Sequence, residues 1–144
     1  MVPDIIDGIS IKLNQVFGNE YEIYGDEDIK QGLKRPCFFI AVLAPSQEPM
    51  LKGRYFRRNP FDVHYFPKKD NSRIEIEQTA GKLYEAMEYI ALPNGDTLRG
   101  TGMSYEVVDS ILHFFVSFNH FVVQNLVEPD SEMDGVVVEV NTEG

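Results

Sequence analysis

Cysteine, histidine and long apolar runs are all scarce in this chain, and each shortage removes a class of function. Cys37 is the single cysteine of 144 residues. It has no partner for an intramolecular disulfide, which fits a reducing compartment. The longest apolar stretch lies within residues 111–123, short of the ~20 residues a membrane-spanning helix needs. The opening residues carry Asp4 and Asp7 where a signal peptide would be basic, so synthesis in the cytoplasm is the expectation. Histidines occur only at 64, 113 and 120. Zinc sites usually want several His or Cys ligands at short spacing. The odd separation of His113 and His120 puts them on opposite faces of a strand, so all three read as sheet residues and neither metal nor cofactor is expected.

Catalytic patterns are missing as well. Arg99-Gly100-Thr101-Gly102 lacks the Gly-Lys-Ser/Thr ending and the strand-to-helix setting of a phosphate loop. Glu85 and Glu88 are acids on a solvated helix face, with no pocket to make them an acid/base pair. Cys37 sits in an apolar run and reads as a packed small hydrophobe rather than a nucleophile. No enzyme is expected.

Acidic charge is abundant and unevenly placed. The net charge is −10, which argues against a protein whose main task is gripping phosphates. Residues 1–29 hold one Lys against seven acids, net −6. Residues 30–73 hold ten Lys or Arg against three acids, net +7. Residues 74–144 hold two against thirteen, net −11. Such polarity suits self-complementary or ring-forming subunits; a solvated surface with a local bias is the plainer alternative.

Periodicity predicts an α+β fold, with a mixed or antiparallel sheet of about five strands, two helices packed on it and an acidic C-terminal tail. Residues 1–125 form the single domain in this reading and 126–144 the flexible tail. Ile5, Ile9, Leu13 and Phe17 mark a helix over about 2–17, stopped by Gly18. Tyr21–Tyr24 is a short strand, residues 25–28 a polar turn, Cys37–Leu43 a buried central strand, and 44–49 a loop. A strand from about 50 to 58 precedes a turn or bulge at Asn59-Pro60, and Phe61, Val63 and Tyr65 then share a face. A second helix, with Ser72 as N-cap, is expected over about 73–91, its stripe being Ile76, Ala80, Leu83, Met87 and Ile90. Gly100-Thr101-Gly102 reads as a flexible joint, and strands 103–108 and 111–123 as a hairpin turning at Asp109-Ser110. Residues 128–135 read as a linker to a β-prone segment, 136–140, that either stays mobile or joins a sheet edge.

The positive charge and many aromatics concentrate in residues 52–69, which read as a strand pair. Lys52, Arg54, Tyr55, Arg57 and Arg58, with Phe56 beside Tyr55 between the arginines, combine charged donors with aromatic anchors, the residue types that interfaces favour. A nucleic-acid surface is the rival reading of the same pattern, and the overall acidity favours a protein partner.

Asp4–Ser10, Lys34–Ile40, Arg54–Pro67, Arg99–Thr101 and Asp109–Val116 together resemble the tail terminator proteins of phages and prophages of Gram-positive bacteria. The resemblance spans about residues 4–123 and is most specific in the Arg-Tyr-Phe…Asn-Pro-Phe-Asp…Tyr-Phe-Pro block. It implies a non-enzymatic structural protein with an α+β fold and no cofactor. It further implies a ring of copies, typically a hexamer, on the head-proximal end of the tail tube, where it stops polymerisation and offers the head-joining surface. The implied partners are the tail tube protein and head–neck connectors, with DNA passing through the lumen and no specific binding to it. Assembly would take place in the host cytoplasm and the product would reside in the virion tail. A neck or head-completion connector, and a nucleic-acid-binding accessory protein, are the alternatives.

Overall fold

The computed structural model describes residues 1–25, 32–69, 72–126 and 136–142. Residues 26–28 of the expected polar turn and the expected linker 128–135 lie outside the described residues. Helix α1 (Val2–Phe17) opens on Pro3 in its first turn and buries Ile5, Ile9 and Leu13, one residue per turn. Strands β1 (Glu22–Tyr24), β2 (Cys37–Val42), β3 (Ser46–Pro49), β4 (Arg54–Arg58) and β5 (Pro60–Phe66) follow. After α2 (Arg73–Ala86) come β6 (Tyr89–Ala91), β7 (Thr97–Val108), β8 (Ile111–Phe118), β9 (His120–Leu126) and β10 (Val136–Thr142). The α+β class is as expected, and no helix among the described residues is long and apolar enough to cross a membrane.

These strands build two sheets rather than one. The larger has the order β1-β2-β5-β8-β7-β6, with β1 parallel to β2 and the other pairs antiparallel. The smaller has the order β10-β9-β4-β3 and is antiparallel throughout. One face of the larger sheet carries Phe38, Ile40, Phe61, Val63, Tyr65, Leu112, Phe114, Val116 and Phe118, and α1 and α2 close over it with Ile76, Ala80 and Leu83 from α2. Stacked rings bind the edge of this core: Phe38 lies 4.9 Å from Phe17 and 5.1 Å from Tyr65 between centroids.

Several expected boundaries shift, each for a local reason. The second helix ends at Ala86, five residues early, because the chain reverses through residues 93–96 and pairs Tyr89–Ala91 with Thr97–Arg99. Ile90 keeps helical spacing from Met87 but is buried from a strand. The supposed loop 44–49 contains β3, and the supposed strand start at 50–53 is the tight turn joining it to β4, with Lys52 and Gly53 at positive φ. Residues 136–142 pair with β9 and so join an edge of the chain's own sheet. Gly100-Thr101-Gly102 is not a joint between elements but lies inside β7: Gly100 and Thr101 pair with Phe118 and Ser117, and a bulge follows between Thr101 and Ser104, with Gly102 at φ 59°.

The largest departure concerns the two long strands. Residues 52–69 break at Asn59-Pro60 as expected, but the strands on either side, β4 and β5, lie in different sheets and do not pair with each other. The expected strand 111–123 breaks likewise at Asn119 into β8 and β9. The two breaks meet, because Arg57 pairs with His120 on one side and Pro60 with Ser117 on the other. Asn59, 3% exposed, ties them together. Its N–H donates to Asn119 Oδ1 at 3.1 Å, and its Nδ2 donates to Phe118 O at 3.0 Å and to His120 Nδ1 at 3.2 Å. Its own carbonyl accepts the Phe118 N–H at 3.0 Å. The corner is therefore a hydrogen-bonded fold in a pair of strands, and it launches the second sheet.

A Cβ at Gly100 would stand 2.1 Å from the Met87 carbonyl oxygen, backbone that no rotamer change can move. Gly100→Ala should lower unfolding free energy by about 1–3 kcal/mol, whereas Gly81→Ala in α2, with nothing within 4 Å, should raise it by about 0.5–1 kcal/mol; urea unfolding of both variants checks this. His120 is wholly buried, and that burial, with Arg57 and the N-terminal amino group nearby, lowers its pKa from 6.5 to about 4. Because Asn59 donates to Nδ1, the ring proton sits on Nε2. As pH falls from 6.5 towards 4 the unfolded chain gains a proton that the folded chain refuses. Stability should fall across that window by up to about 3 kcal/mol and level off below it. His120→Gln should lack that component of the slope in urea unfolding at stepped pH.

Candidate interface on the second sheet

The strands of the smaller sheet alternate their side chains between two faces. On β4 this separates Arg54, Phe56 and Arg58 from Tyr55 and Arg57. The register sets Phe56 opposite Phe121 on β9, and their rings lie 4.9 Å apart between centroids. The Arg54 guanidinium sits over Phe121 at 4.6 Å and that of Arg58 over Phe56 at 5.0 Å. Arg58 also pairs with Glu48 of β3 at 2.8 Å, in the open, where such pairs contribute little to stability. The product is a cationic face that sets two exposed arginines, Arg54 and Arg58, over an aromatic floor of Phe121 and Phe56.

The opposite face is built for support. Arg57 Nε donates to Gln47 Oε1 at 2.7 Å. His120 and Val122 are buried there, and Tyr55 is half-buried. A cleft of about 320 Å³ runs from Arg57, Gln47 and Asn59 to Met1 and Val2 of α1. Lys52 belongs to neither face, for it stands at the tip of the β3–β4 hairpin beside Met50 and Leu51, which are 48% and 83% exposed. Of the five interface residues expected from sequence, the fold thus groups Arg54 and Arg58, puts Lys52 at the tip, and turns Tyr55 and Arg57 inward. Phe56 was read as an aromatic between the arginines, whereas Phe121, Met50 and Leu51 escaped the sequence reading. The alternation Arg54-Phe56-Arg58 was a signal for Phe56; no local pattern points to the pairing with Phe121.

A second cluster occupies the face of the larger sheet that turns away from the helices. Asp62 and His64 share that face of β5, and His113 on β8 is the cross-strand partner of His64. His64 Nε2 lies 2.9 Å and His113 Nδ1 3.0 Å from the same oxygen, Asp62 Oδ2. Burial works to raise the Asp62 carboxyl; the hydrogen bonds from His64 and His113 outweigh it and hold the group below its ordinary value, so it is anionic. His120, in the other sheet, takes no part. Cys37 is fully buried, and burial pushes its thiol up to about 11, which leaves it inert as a nucleophile.

No curated protein sequence matches the chain. Residues 4–130 match the family described as phage tail terminator protein, a stretch that includes both helices, the larger sheet and the cationic face. The chain therefore belongs to the phage tail terminator proteins, a structural family of the phage tail.

Proposed function

We propose that this protein closes the phage tail tube as a ring of its own copies, stops tube polymerisation and presents the surface on which the head is joined. The observation that carries the reading is the cationic, aromatic-floored face of the second sheet on a chain whose net charge is −10. A face of this kind is complementary to the rest of the same molecule. Exposed carboxylates such as Asp4, Asp7 and Glu85 stand on the two helices, so one copy offers what the next copy's hairpin lacks. Two different surfaces meeting head to tail generate a closed ring when the rotation per copy divides a full turn, and six copies is the size the family resemblance implies. Lys52, Arg54 and Arg58 make the contact in this scheme, while Tyr55 and Arg57 hold the hairpin from beneath. Met50 and Leu51 at its tip reach the tail tube protein or the connector above. A predominantly acidic chain lining the lumen lets DNA slide without holding it.

Charge reversal at the proposed contact separates this role from a stability role. Arg54→Glu with Arg58→Glu should leave the circular dichroism spectrum intact and the unfolding midpoint nearly unchanged, because exposed ion pairs contribute little. The same variant should cap polymerising tail tubes about 100-fold more weakly, the loss expected when hot-spot contacts are reversed. Normal capping by the variant would sink the assignment of this face. Salt-dependent binding of the unaltered protein to duplex DNA would favour the nucleic-acid reading instead.

A further inference from the structure

Asp62, His64 and His113 have no part in the proposed ring contact, and nothing in the core requires a charged group between two imidazoles at mid-sheet. Asp62 is 7% exposed, yet its Oδ1 has no hydrogen-bond partner among the described residues. A buried carboxylate with one oxygen bare is costly unless a cation or further donors face it. No Lys or Arg is found pairing with it among the described residues; the groups that do face it are two imidazoles, which are metal ligands when neutral.

We infer that Asp62, His64 and His113 form a binding site for a divalent transition-metal ion, zinc being the best fit. The three ligand atoms lie within 4.8 Å of one another. The two His–Asp separations, 2.9 and 3.0 Å, are a few tenths of an ångström below the ~3.3 Å between ligands that sit ~2.0–2.1 Å from a tetrahedral centre. Small outward shifts would admit the ion, and the two N–H···O contacts would give way to lone pairs directed at it. Two imidazoles and one carboxylate suit zinc, cobalt or nickel and disfavour calcium and magnesium, which want oxygen donors. The surroundings suit a stable site. The Phe39 ring lies 5.3 Å from His64 in a tilted contact, Phe66 lies 6.4 Å from it, and Phe115 is the cross-strand neighbour of Asp62, so apolar rings flank the polar centre. Three protein ligands leave a fourth position, open to water or to a donor from a neighbouring copy. The ion would act as a pin between β5 and β8, the two central strands, just below the corner from which the second sheet departs.

The test uses untagged full-length protein, freed of metal with a chelator that is then dialysed away. Cobalt(II) titration should give the visible absorption bands of a tetrahedral site, saturating at one equivalent per chain. Zinc should displace them. Free zinc at 100 times its dissociation constant should raise the folding equilibrium constant about 100-fold, read as a higher unfolding temperature. His64→Gln with His113→Gln, checked for folding by circular dichroism, should lose both signals. Absence of tetrahedral cobalt bands in the unaltered protein, or equal zinc stabilisation of a folded double variant, would overturn the assignment. So would saturation well above one equivalent, the mark of scattered surface binding.

Discussion

The structure turns on the corner at Asn59 and Asn119. Two neighbouring strands each change sheets at that level, and a break in both at once strips donors and acceptors from the middle of a sheet. The Asn59 side chain and backbone replace them with four short-range hydrogen bonds to Phe118, Asn119 and His120. Without that repair the buried polar groups would have to be left unpaired, each at about 1–3 kcal/mol. With it, one strand pair serves two purposes. Its first part completes the core beneath two helices, and its second part carries a cationic face away from that core. Ser117 and Thr101 extend the network, since Asn119 Oδ1 also accepts from Ser117 Oγ and Asn119 Nδ2 donates to Thr101 at 3.3 Å.

This division explains how an acidic protein can present a basic surface. Four of the ten Lys and Arg of residues 30–73, namely Lys52, Arg54, Arg57 and Arg58, lie on β4 and the turn before it, while exposed carboxylates such as Asp4, Asp7 and Glu85 stand on the helices. Arg54 and Arg58 lie over the rings of Phe121 and Phe56 and stay exposed on that face. The stability of the fold rests on the core under the helices; the second sheet contributes the surface that the proposed ring uses.

Much of this was legible in the sequence, and the rest was hidden for a physical reason. Helix α1 could be read end to end because its apolar residues recur at one period and glycine stops it. The shared face of Phe61, Val63 and Tyr65 on β5 was equally plain from alternation, whereas β8 carries aromatics on both faces and alternation did not say which of them turns to the helices. What alternation cannot reveal is where a strand leaves its sheet: Asn59-Pro60 reads as no more than a turn or bulge, residues 111–123 keep their period through the corner, and the hydrogen bond between Asn59 and Asn119, 60 residues apart, marks the change. For the same reason five basic and aromatic residues read as one patch although the pleat sends them to two faces and a turn. The Asp62, His64 and His113 cluster was half visible as an i, i+2 pair on β5. Its third member is a cross-strand neighbour that register alone supplies.

The most direct test of the account is the mass of the purified protein, alone and mixed with polymerising tail tubes, followed by electron microscopy of the tubes. The account predicts a closed ring, or a monomer that assembles into one at a single end of each tube and halts its growth. A monomer that leaves tube length unchanged and binds the portal side of the head, or DNA, would contradict it.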